Sequence, residues 1–155
     1  MSSPPDPNAK VLFRVPNEDG TAEVETLWAY ALGSDQYKLD NCPFYAYGVS
    51  LHDTVFAPLD ADEGLPVFVR VISKSGNRTI RVVFDLPVAV GNESQLLLDE
   101  TISLGCSYEG ANPSYIVLNV PAEVQLSRVA ETLIKSGVTW EHADPTHEEL
   151  HRDGA

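Results

Sequence analysis

The chain has 155 residues, 43% of them hydrophobic and 21% charged, with 23 acids against 10 bases and a formal net charge of −13. A field of that sign repels phosphate backbones and anionic lipid, which argues against a nucleic-acid or membrane binder; the plain reading of the charge is solubility, and the sharper one is attraction to a basic protein partner. The length suits one domain or two small subdomains with a real core. Residues 1–85 carry 12 acids and 7 bases, and residues 86–155 carry 11 and 3. No apolar stretch approaches the ~20 residues of a membrane-spanning helix. Met1 is followed by a polar, proline-rich stretch, so no secretory leader is expected. Cys42 and Cys106 are far apart, with no Cys-x-x-Cys motif. A cytoplasmic protein with two reduced, buried thiols and no cofactor is expected.

Residues 1–9 read as a disordered leader. Residues 10–15 and 22–30 read as a hairpin over Asn17-Glu-Asp-Gly20. Residues 37–39 and 54–57 read as short strands, and Asp60-Ala-Asp-Glu-Gly64 as an acidic turn. Residues 67–73 and 77–84 are β-branched runs around Lys74-Ser-Gly76, predicting a second hairpin. Short strands at this density over ~75 residues imply a small bent sheet or open barrel.

The second half changes character. Asn92-Glu-Ser-Gln95 resembles a capping box opening a helix to about Leu104, with Gly105 at its C-terminal side. Residues 107–109 and 114–120 read as a hairpin across Gly110-Ala-Asn-Pro113. Leu126, Val129, Ala130, Leu133 and Ile134 recur with helical period, and Gly137 ends that helix before a last strand at 138–142. From residue 77 the order is β-α-β-β-α-β, the ferredoxin-like pattern. The expected class is therefore α+β. A small β-subdomain spans residues 10–76 and a ferredoxin-like subdomain spans 77–143, sharing the strand at 77–84, with a flexible tail at 144–155.

Residues 25–53 concentrate the chemistry. Trp28, Tyr30, Tyr37, Phe44, Tyr45 and Tyr47 crowd around Pro43, with acids at Glu25, Asp40 and Asp53. The aromatics either plug one end of a sheet or line a ligand pocket or protein-binding surface. On the second reading the binding residues are Glu25, Trp28, Tyr37, Asn41, Phe44, Tyr45 and Asp53. Converging carboxylates would do acid–base work or hold a metal. As plain structure, Asp40 and Asp53 are turn residues. Cys42 and His52 are a conceivable nucleophile pair, against the simpler reading of Cys42 as a small buried residue. Lys74-Ser-Gly-Asn-Arg78, near Arg70 and Arg81, reads as a hairpin tip rather than an anion site. His147-Glu-Glu-Leu-His151 matches H-E-x-x-H, but in a polar tail after Asp144-Pro145 with no histidine following it. A catalytic zinc needs a third ligand and a rigid cleft, so chance spacing is the reading and no metal site is expected.

Val11-Leu-Phe-Arg-Val15, Glu25-x-x-Trp28, Tyr37-x-Leu-Asp-Asn41, Pro43-Phe44, Gly48-Val-Ser50, Asp53-x-Val55 and Ser75-Gly-x-Arg-Thr79 stand in order along the chain. With Leu104-Gly-Cys106, Glu109, Val120-Pro121 and Gly137, they resemble the bacterial "domain of unknown function 4265" family over about residues 10–143. His52 departs from the pattern, which expects glycine there, and Asn77 stands where histidine is expected. The resemblance implies fold boundaries and no catalytic residue, because the family has no assigned reaction. The charge of −13, the lack of a convincing catalytic set and the compact size lead instead to a non-enzymatic cytoplasmic binding protein, such as an immunity-type inhibitor of a basic toxin or enzyme. The alternative is a small-molecule-binding protein or enzyme using residues 25–53.

Overall fold

Period-2 alternation of apolar and polar residues near the N-terminus builds the first sheet. The computed structural model describes residues 7–152. By its contacts the chain divides into two units, Met1–Ser75 and Gly76–Ala155.

In the first unit, β1 (Ala9–Pro16) pairs antiparallel with β2 (Ala22–Gly33), setting Val11 opposite Leu27 and Phe13 opposite Glu25. Next come β3 (Gln36–Leu39) and β4 (Thr54–Phe56), a small ribbon of β5 (Leu59–Asp60) with β6 (Leu65–Pro66), and β7 (Arg70–Ser73). The five-stranded sheet runs β1-β2-β3-β4-β7. It curls. The Phe68 amide donates to the Leu12 carbonyl at 2.9 Å, and Val67 bridges Leu12, so the chain after β6 returns to β1. The inner face buries Val11, Phe13, Leu27, Ala29, Leu39 and Val55, and Phe68 stacks on Phe13 at 4.7 Å. The expected bent sheet is present.

The second unit holds β8 (Arg78–Val83), α1 (Glu93–Ser103), β9 (Ser107–Asn112), β10 (Tyr115–Val120), α2 (Leu126–Ser136), β11 (Thr139–Asp144) and α3 (His147–Arg152). Its four strands are antiparallel in the order β11-β8-β10-β9. Ile80, Val82, Leu118 and Val120 of the sheet pack with Leu98 of α1 and with Val129 and Leu133 of α2 in one buried cluster.

Local signals place the helices. Asn92 caps α1 by accepting from the Gln95 amide at 2.9 Å. The Gln95 side chain runs forward to Asp99 at 2.9 Å, so the capping box is half made. Gly105, at φ +113°, ends α1 and lets the Cys106 amide reach Thr101 at 3.1 Å. α2 has no side-chain cap. Instead the Arg78 guanidinium donates to the carbonyls of Pro121, at 2.6 Å, and Val124, fixing the loop that enters the helix.

Two expectations are corrected. The runs flanking Lys74-Ser-Gly76 do not form a hairpin, and β8 is not a strand shared between the two sheets. β7 pairs with β4, while β8 pairs with both β10 and β11. Ile80 and Val82 are fully buried in the second core, so β8 is an inner strand with both edges occupied. Residues 144–152, expected as flexible tail, carry the end of β11 and α3. Thr146 caps α3, accepting from the Glu149 amide at 3.2 Å and donating to the Glu149 carboxylate at 3.0 Å. Of the expected leader, residues 1–6 lie outside the described residues, as do residues 153–155 of the tail. Asn8 is hydrogen-bonded to Ala29 and Ala31, and Ala9 already belongs to β1.

A Cβ added at Gly105 would meet Val124 Cγ2 at 2.7 Å, at a backbone angle that side chains rarely adopt. Gly105→Ala is therefore expected to lower the unfolding free energy by about 2 kcal/mol in a urea titration, with the m-value unchanged. A loss under about 0.5 kcal/mol would contradict this account of the α1 terminus.

Candidate functional site

Residues 40–53 have no strand or helix period, and side chains hold them. Glu25 lies on the inner face of β2, opposite Phe13. Its carboxylate accepts from the amides of Phe44 at 2.9 Å, Tyr45 at 3.0 Å and Ala46 at 2.8 Å. Three successive N–H groups around one carboxylate form a charge-assisted anchor for the loop. Asn41 Oδ1 accepts from the Trp28 amide at 2.9 Å, tying the start of the same loop to β2.

Asp53 is fully buried. One carboxylate oxygen accepts from the Ser50 amide at 2.8 Å and from Lys74 Nζ at 2.6 Å; the other accepts from the Ser75 amide at 2.8 Å. Lys74 Nζ also donates to the Gly48 carbonyl at 3.0 Å, and Ser75 Oγ to the Leu51 carbonyl at 2.7 Å. The supposed hairpin tip is thus a clamp on residues 48–53.

The turn inside that clamp explains the departure at His52. The Asp53 amide donates to Ser50 at 3.1 Å, and His52, third in the turn, has φ +68°. A turn with positive φ at this position favours glycine. The His52 ring is 4.0 Å from Asp40, while Cys42 is buried as an apolar residue. Asn77 is half-buried beside Gly76.

The aromatics do not share one site. Trp28 points to the outer face of the sheet, is 44% exposed and carries Lys10 Nζ 4.7 Å above its ring. Tyr37 packs on the inner core. Phe44 is half-buried, and Tyr45 and Tyr47 are exposed. The strand register puts Lys10, Arg14, Lys38 and Arg70 on Trp28's side of the sheet, with Arg70 over Phe56 at 4.5 Å and Arg14 paired to Glu63. Trp28 and Glu25 therefore face opposite ways, and Glu25, Asn41 and Asp53 are each bound to backbone amides.

The H-E-x-x-H residues lie on α3, with the His147 and His151 rings 3.9 Å apart. Among the described residues no group of three or more His, Cys, Asp or Glu is placed to hold a metal ion. His142, on β11, is half-buried with its ring edge-on to Trp140 at 4.9 Å. Burial lowers its pKa, and the neighbouring His147 and His151 lower it further. Burial raises the Cys106 thiol to about 11, which leaves it an inert core group.

A second candidate surface was missed in the sequence. Glu93, Leu96, Leu97 and Glu100 form one side of α1 and face Thr132, Lys135 and Ser136 of α2 across a groove of about 490 Å³. The available signal was the i, i+3, i+4, i+7 spacing of two acids around two leucines in Glu93-x-x-Leu-Leu-x-x-Glu100.

The model of a family described as "Domain of unknown function (DUF4265)" matches residues 25–142. A solved structure described as a hypothetical protein from Neisseria gonorrhoeae is similar in fold, with a TM-score of 0.75 at 17% identity over 89% of this chain and 95% of that one. No curated protein matches the chain. Among the described residues no helix is long and apolar enough to cross a membrane.

Replacing His52 by glycine is expected to raise stability by about 0.5–1 kcal/mol, because the turn's positive φ then carries no Cβ strain. Unchanged or lower stability would contradict the turn assignment. His142 predicts a pH effect. Its folded pKa lies below the ordinary 6.5, so between the two values the unfolded chain binds more protons. The stability contributed by the neutral ring is complete above 6.5 and falls as the pH drops toward the lowered value. A His142→Asn variant is expected to melt with a shallower pH slope below 6.5 than the parent; an identical slope would assign the effect elsewhere.

Proposed function

The chain belongs to the domain of unknown function 4265 family, and we propose that it is a cytoplasmic, non-enzymatic protein-binding member, an inhibitor of the immunity type whose partner is a basic protein. The observation that carries this reading is the distribution of charge. Residues 76–155 hold 12 acids and 5 bases, and four of the five bases in residues 1–75 gather on one face of the first sheet. Residues 76–155 thus carry a net acidic excess of seven. Such a field speeds encounter with a cationic partner.

The alternative, a small-molecule or catalytic site in residues 25–53, needs free polar groups. Glu25, Asn41 and Asp53 are instead hydrogen-bonded to backbone amides, Glu25 to those of Phe44, Tyr45 and Ala46, Asn41 to that of Trp28 and Asp53 to those of Ser50 and Ser75, and Trp28 and Tyr37 lie on opposite faces of the sheet. We also read the Gly76–Ala155 unit as ferredoxin-like. The support is the strand order β11-β8-β10-β9, with α1 between β8 and β9 and α2 between β10 and β11.

Co-expression with the product of the adjacent gene, followed by size-exclusion chromatography, tests the binding reading. A complex is expected at about 0.1 M salt that weakens clearly by about 1 M. A salt-insensitive complex, or no complex, would count against a basic partner bound through this field.

A further inference from the structure

We propose that the groove between α1 and α2 is the docking seat, and that it takes a basic amphipathic helix of the partner. This rests on the basic-partner reading and adds where and how the partner binds.

Three observations converge on the groove. First, α1 is only weakly amphipathic: Leu98 is buried in the core and Leu97 is buried at the groove, yet Leu96 beside it is 56% exposed. Second, the groove continues into an adjoining cavity of about 250 Å³, which adds Asp85, Leu86 and Val138 to the shared Glu93 and Leu97. Leu86 is 50% exposed there, so a second apolar contact lies along the same track. Third, the charges flanking these leucines are Asp85, Glu93 and Glu100 against the single cation Lys135. Among the described residues no ion pair engages the three acids.

An apolar floor with an acidic rim is complementary to a helix with leucine-like residues on one side and lysine or arginine beside them. Helix-in-groove recognition uses anchors at i, i+3, i+4 and i+7, the same period the α1 stripe presents. The apolar contacts hold the helix, and the acids select for cationic flanks.

A labelled Leu/Lys amphipathic peptide of about 14 residues, long enough to form a helix when bound, is the probe. Its affinity for the full chain is read by fluorescence anisotropy. Leu96→Asp, and separately Glu93→Lys with Glu100→Lys, are each expected to weaken binding at least about tenfold. A charge-matched control, Glu18→Lys with Glu23→Lys in the β1–β2 hairpin, is expected to change it less than about twofold. Circular-dichroism melts confirm that each variant is folded.

Equal losses in groove and control variants would overturn the groove while leaving a basic partner standing, because bulk charge would then explain the binding. Equal binding of a Leu/Glu peptide would overturn the charge complementarity and the basic-partner reading together. A genuine partner that still binds Leu96→Asp at parental affinity would overturn the groove alone. Self-association of the parent chain abolished by Leu96→Asp would assign the seat to a second copy and overturn the proposal.

Discussion

A carboxylate withdrawn from water must be surrounded by donors, and the Asp53 side chain meets that demand with two backbone amides and an ammonium group. The constraint reaches well beyond one residue. It joins the end of the irregular loop to the two residues that close the first unit. Glu25 uses the same chemistry at the other end of the loop, with three consecutive amides. Between them, the two acids hold the amides of residues 44–46, 50 and 75. Removing either would leave several amides to find new partners.

This arrangement changes what the densest stretch of the sequence is for. Its acids are part of the scaffold, and its aromatics are dispersed between the core, the loop surface and the outer face of the sheet. The outer face is also where the N-terminal cations collect, two of them against aromatic rings. A chain that is strongly acidic overall thus keeps a locally cationic sheet surface. The acidic surfaces that remain are the ones from which binding to a cationic protein is argued.

Much of the fold was legible because local signals agreed with tertiary demands. The α2 pattern gave its helix and its glycine stop together, and Asn92 and Gly105 bracketed α1. Residues 74–76 misled for a physical reason. A glycine turn between two β-branched runs is the signature of a hairpin, but it cannot say whether the second strand has better partners elsewhere. Ile80 and Val82 found theirs in β10 and β11. His52 was legible only as a departure from a resemblance, and the backbone angle supplies its meaning. The roles of Glu25 and Asp53 were out of reach, because bonds to amides some 20 residues away leave no mark in composition or period.

The place of β8 in its sheet has a consequence for the order in which the protein can assemble. Residues 1–75 contain every strand of the first sheet, so that unit can close as soon as its last strand is made. β8 follows at once but is central, and its two neighbours begin at residues 115 and 139. During synthesis its apolar edge therefore waits for some 60 residues of later chain, a separation that slows pairing and exposes a strand prone to wrong partners. The arginines at positions 78 and 81 are well suited to that interval, since charged side chains on a waiting strand discourage edge-to-edge association before α2 and β11 arrive.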